Sequence, residues 1–168
     1  MLVIIVLIMS MVNYTNSQEV RKKIFLVGSS VEYGIPIYNS NGQGLAIQGE
    51  YLMSPSYGIL LDYSFLKYKG IEDDISFTFT VSSPAIFICW HTPPESDIEM
   101  VIGAGVGYTT IIGNQTRKTT NPFYDNEPDN AVIPQLKLGV RYWFSRHGAV
   151  KINVGFYRLA SLGFDYSI

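Results

Sequence analysis

"PQLKLGVRYWF", residues 134–144, alternates without a break. Leu136, Leu138, Val140, Tyr142 and Phe144 fall on one side of an extended chain, and Gln135, Lys137, Gly139, Arg141 and Trp143 on the other. Period two over this length is a strand, and it sets two cations opposite an unbroken apolar row. In a water-soluble sheet the apolar row would be the buried one. In lipid the assignment reverses, because a Lys or Arg facing the bilayer midplane costs about 2–4 kcal/mol.

The pattern recurs. Val150, Ile152, Val154 and Phe156 oppose Lys151, Asn153, Gly155 and Tyr157; Tyr57, Ile59, Leu61, Tyr63 and Phe65 oppose Gly58, Leu60, Asp62, Ser64 and Leu66. In "VIGAGVGYTT" (101–110), Ile102, Ala104, Val106 and Tyr108 alternate with Gly103, Gly105 and Gly107. A dinucleotide-binding G-x-G-x-x-G would need glycine where Tyr108 stands, so these glycines read as strand positions that leave room inside for neighbours such as Arg141 and Trp143. Residues 24–33, 45–53 and 75–90 are further strands, the last with a bulge or phase change expected at Ser82-Ser83-Pro84.

That makes seven strands before "ASLGFDYSI" (160–168), where Leu162, Phe164, Tyr166 and Ile168 alternate with Ser161, Gly163, Asp165 and Ser167. A loop at 158–160 leaves about eight residues, short against the ~9–11 of a spanning strand. Seven strands would leave an edge of unpaired backbone groups in lipid, which favours an eighth, shortened strand over a missing one.

Composition narrows the class. Charged residues are 15% of the 168, against about 25% in soluble chains, and aromatics reach 14%. A net charge of −2 gives no basic footprint, which excludes nucleic acid as a partner. The lone Cys89 cannot form an intramolecular disulfide. The start, "MLVIIVLIMSMVNYTNSQEV", carries an apolar run over 2–12 that suits a secretory signal, with cleavage expected after Ser17 and a single domain over 18–168.

Connections alternate in length. "SPS" (54–56), "HTPPESD" (91–97) and "SRHG" (145–148), of three, seven and four residues, are the shorter set, whereas 34–44, 68–74 and 112–131, of 11, seven and 20, are the longer one. Short turns at one end and long loops at the other mark an all-β, antiparallel, up-and-down transmembrane barrel. Lys137, Arg141 and Lys151 then point inward, with Glu32, Glu50 and Asp62 as their partners in a polar network filling the lumen. Tyr33, Tyr51, Tyr57, Trp90, Tyr108, Tyr142 and Phe144 lie toward strand ends, as in interfacial girdles.

"VIGAGVGYT" (101–109), "LKLGVRYWFS" (136–145) and "AVKINVGFYRL" (149–159) together resemble the porin-like outer-membrane β-barrel family of the small OmpA/OmpX/OmpW type. The resemblance implies an integral protein of a Gram-negative outer membrane, in contact with its lipid and inserted by the barrel-assembly machinery. Such chains usually finish in an aromatic residue; Ile168 stands there, with Tyr166 and Phe164 keeping the alternation.

Enzymatic chemistry finds no foothold. No Ser/His/Asp constellation has a recognisable spacing, and no cofactor is implied. His91 and His147 read as solvated turn residues, with no metal-ligand spacing around them. "DNEPD" (125–129) lacks the glycine and distal Glu of a calcium loop. Function then falls to the loop 112–131, whose Arg117, Lys118, Phe123 and Tyr124 are candidates for contact with a surface partner. Two other readings compete: a narrow conduit for small solutes, and a soluble lipocalin-like barrel with apolar residues inside.

Overall fold

The computed structural model describes residues 25–34, 41–72, 75–92, 97–117, 129–155 and 158–168. They form eight strands: β1 (Phe25–Gly34), β2 (Gly42–Ser54), β3 (Tyr57–Glu72), β4 (Ile75–His91), β5 (Ile98–Arg117), β6 (Asp129–Trp143), β7 (Gly148–Gly155) and β8 (Arg158–Ser167). Each pairs antiparallel with the next, and β8 returns to β1 to close the barrel. Closure leaves no sheet edge around the wall.

The last strand is longer than expected. It begins at Arg158, so the segment 158–160 is strand rather than loop, and β8 pairs with β1 from Leu26↔Ser167 to Gly34↔Arg158 with one bulge near Tyr33. The expected break at Ser82-Ser83-Pro84 is also absent. The β4–β5 register runs Ser82↔Thr110 and resumes at Ala85↔Gly107 without a shift. Proline has no N–H to donate, and Pro84 accordingly drops out of the ladder toward β5 while still pairing Tyr63 of β3.

Strands also absorb much of the expected loops. β3 continues through residues 68–72, and β5 and β6 take the ends of 112–131. The turns at the other end share one device: a hydroxyl that accepts from backbone N–H groups. Ser54 Oγ accepts from Tyr57 N (3.1 Å), Ser145 Oγ from Gly148 N (2.8 Å), and Thr92 Oγ1 from Met100 N (3.0 Å). Both ends of the barrel wall meet at this turn end, where Ile168 N donates to Phe25 O at 3.0 Å.

Alternation sorts the side chains by face. Leu136, Leu138, Val140, Ile102, Val106, Ile152 and Leu162 point outward and are exposed, whereas Lys137, Arg141, Lys151, Glu32, Glu50 and Asp62 point inward and are buried. This inverts the apolar interior that a soluble lipocalin-like barrel needs. The interior is not wholly polar, however: Leu60, Ala85, Phe87, Cys89 and Val101 form one apolar cluster, and Leu26, Trp143 and Ala149 another.

The glycines of β5 serve that first cluster. A Cβ on Gly103 would lie 3.1 Å from Cys89 Sγ, and one on Gly107 would run into the Gln135 amide. A Cβ on Gly105 would strike the backbone of Ile86 and Phe87. Their neighbours are thus Phe87, Cys89 and Gln135, not the expected Arg141 and Trp143.

Candidate functional site

The lumen network is assembled by parity. Inward positions two residues apart on a strand lie about 6.8 Å apart, so each wall supplies a ladder of polar groups at successive depths. Arg141 of β6 sits at the centre of the turn-end half. Its Nε donates to Asp165 Oδ2 (2.7 Å), Nη1 to Glu99 Oε1 (3.0 Å) and Nη2 to Glu50 Oε2 (2.8 Å). The guanidinium fork suits this task because its donors diverge in one plane.

Around it the carboxylates find further donors. Trp143 Nε1 donates to Glu99 Oε2 at 2.8 Å, and Lys151 Nζ bonds both Asp165 and Gln48. Gln48 Nε2 in turn donates to Asp62 Oδ2 (2.7 Å), which also receives Lys137 Nζ (3.0 Å). These bonds connect six strands, β2, β3, β5, β6, β7 and β8, and a histidine of β4 adds a seventh. A buried charge is tolerable only with such partners.

Nearer the loop end, Ser64 Oγ donates to Glu32, and Ser83 Oγ bonds Thr109 Oγ1 (3.1 Å) and accepts from Gln135 Nε2 (3.2 Å). Tyr68 lies above them, 2% exposed, its ring stacked on Phe79 with centroids 4.6 Å apart. Side chains on Gly34 and Gly42 would collide with that ring. Between Arg141, Lys151, Gln48 and Lys137 lies a cavity of about 10 Å³, room for about one water.

One expected assignment is overturned. His91 is not a solvated turn residue: it is 1% exposed, the last residue of β4, with Nε2 2.9 Å from Glu50 Oε1 and Nδ1 on Glu99. Parity held the signal, since Ala85, Phe87, Cys89 and His91 share one face. Glu99 and Asp165, which bind Arg141, were not among the expected network residues either. His147 is exposed, with Nδ1 3.0 Å from Ser167 O and its ring against Tyr166.

Arg117 ends β5. Lys118, Phe123 and Tyr124 lie outside the described residues, as do the expected signal segment 1–17 and residues 125–128 of "DNEPD". Among the described residues no group of three or more His, Cys, Asp or Glu side chains is placed to hold a metal ion.

No protein-family model matches the chain, and no curated protein matches it. Solved structures do. The chain is similar to the outer membrane protein OprG from Pseudomonas aeruginosa, at 11% identity and TM-score 0.60 over 87% of this chain and 96% of that one. It is similar to Ail, the attachment invasion locus protein of Yersinia pestis, at 11% identity and TM-score 0.58 over 87% and 97%. Neisserial surface protein A gives 9% identity and TM-score 0.60 over 86% and 97%. At these identities the likeness is one of fold, and that fold is the closed eight-stranded antiparallel β-barrel.

Proposed function

We propose that the chain is an integral protein of a Gram-negative outer membrane, a barrel with a plugged lumen that acts structurally or through its loop end on a surface partner. The observation that carries the plug is Arg141, bonded to carboxylates of β2, β5 and β8 at once, beside a cavity with room for about one water. An outward apolar wall on all eight strands supports residence in lipid.

The loop end supports the surface role. Pairing of β3 with β4 continues to Glu72↔Ile75 and that of β4 with β5 to Ile75↔Arg117, while β2 joins β3 only as far as Gly42↔Tyr68 and β5 joins β6 only as far as Ile111↔Asp129. A three-stranded sheet thus rises past the other described strands at this rim. It carries Arg117 and leads into the segment of Lys118, Phe123 and Tyr124 proposed to touch a partner.

Fractionation and planar-bilayer recording test this reading. The protein should pellet with outer membranes, migrate differently in detergent gels before and after boiling, and pass no steady current. Discrete channels in the wild-type protein that vanish in Arg141→Ala would replace the plug with a narrow solute conduit.

A further inference from the structure

Every described side chain on the outward face of the eight strands is uncharged, with two exceptions: Lys67 and Lys69. Both belong to β3, whose outward row reads Tyr57, Ile59, Leu61, Tyr63, Phe65, Lys67, Lys69. The change from apolar to cationic is abrupt and occurs at the loop end. Lysine on a membrane wall is costly at the midplane and nearly free at the interface, so its position marks where hydrocarbon ends.

The neighbours in register sharpen the chemistry. Lys67 pairs Gln43 of β2 and Thr80 of β4, and Gln43 pairs Tyr33 of β1, to whose hydroxyl it donates at 3.2 Å. Lys69 pairs Thr78. Both lysines are exposed, and no ion pair or side-chain hydrogen bond to another described residue engages either ammonium. Two lysines on one face, about 6.8 Å apart along the strand backbone and flanked by amide and hydroxyl side chains with no described carboxylate on that face, make a cationic strip. It stands directly above the exposed rings of Tyr63 and Phe65.

Resting on the membrane reading above, we infer that Lys67 and Lys69 hold the phosphate of a lipid headgroup in the leaflet at the loop end. A lipid is the ligand the geometry favours, because the strip continues the lipid-facing wall without a step and opens sideways into the membrane. The acyl chains would lie on Tyr63, Phe65, Leu45 and Leu61 below it, all exposed.

The test uses the folded barrel in phosphatidylcholine nanodiscs doped with phosphatidic acid, whose headgroup is a phosphate monoester, with retained lipid counted by native mass spectrometry. Phosphatidic acid should be retained over phosphatidylcholine, and Lys67→Gln/Lys69→Gln should weaken retention by roughly 20–30-fold, at about fivefold per lysine near an anionic surface. Lys67→Arg/Lys69→Arg should restore it. Equal retention by the glutamine variant overturns the inference, and so does displacement of the lipid by inorganic phosphate at equal concentration, which would make the strip a site for free anions. Boiling-dependent mobility, scored in parallel, separates this outcome from failure of the barrel itself: a variant that is folded and inserted but retains no lipid refutes only the headgroup site.

Discussion

Arg141 Nη2 meets Glu50 Oε2 at 2.8 Å although β6 and β2 stand on opposite walls of the barrel, four strands apart in either direction. The bond crosses the full width of the lumen. Glu99 and Asp165 complete the set from the walls between, so one side chain braces four strands. Removing the cation leaves three buried carboxylates short of a donor, and breaking a buried pair typically costs about 3–5 kcal/mol. Arg141→Ala should lower stability by that order in urea titrations of the detergent-folded barrel. Replacing Glu50 and Arg141 together with Leu and Met should recover part of the loss; a single variant as stable as wild type would contradict the bracing.

His91 presents both ring nitrogens to carboxylates that Arg141 also binds. Because Glu50 and Glu99 keep the guanidinium when the imidazole is removed, His91→Ala should cost less than Arg141→Ala, about 1–3 kcal/mol for the lost buried hydrogen bond to Glu99. His147→Ala, at an exposed turn, is the control and should change stability little. Identical unfolding curves for His91→Ala and His147→Ala would count against the buried placement.

Glycine is required at Gly105 of the alternating run and dispensable at Gly49. A Cβ on Gly105 would press on Ile86 and Phe87 backbone, 2.8 Å from Phe87 Cα, where nothing flexible can yield. A Cβ on Gly49, which faces outward, would meet only Phe25 Cζ at 3.6 Å, an ordinary contact. Gly105→Ala should therefore reduce the yield of the fast-migrating folded form, and Gly105→Leu should abolish it. Gly49→Ala should fold as wild type does.

Leu138 sits in the outward row between Ile102 and Val154 and is 52% exposed. In lipid, Leu138→Arg should cost about 2–4 kcal/mol, and Asn130→Arg, near the loop end, about 0–1. Stability measured in bilayers should separate the two. A tolerated Leu138→Arg with better behaviour in water would point to a soluble barrel.

The wall was legible because one face is an exposed apolar row and the other carries the buried charges, so the alternation from Tyr57 to Leu66 or from Gln135 to Trp143 sorts the two sides. The boundaries were not. Hydrophobicity falls off at His91 and at Tyr68, yet the backbone ladder continues through both, since pairing with a neighbouring strand does not require an apolar side chain. Reading "HTPPESD" as a turn removed His91 from β4 by one residue, and with it the link between Glu50 and Glu99. Partner choice across the lumen was further out of reach. Which carboxylate meets Arg141 depends on the registers of all eight strands together, and a local pattern carries none of them. Pro84 misled for a related reason: it lacks one ladder bond, but the bonds on its other side hold the register.

The pairing of β1 with β8 gives the fold a seam joining residues that are more than a hundred positions apart in the chain. Contacts of such separation form slowly, and here the strand that fastens the seam also delivers Asp165, the carboxylate shared by Arg141 and Lys151. Closing the wall and placing Asp165 between Arg141 and Lys151 thus depend on the same strand. A wall with β8 undocked has an open edge and leaves Lys151 without its carboxylate at the same time, so one strand supplies both the last backbone ladder and the last anion.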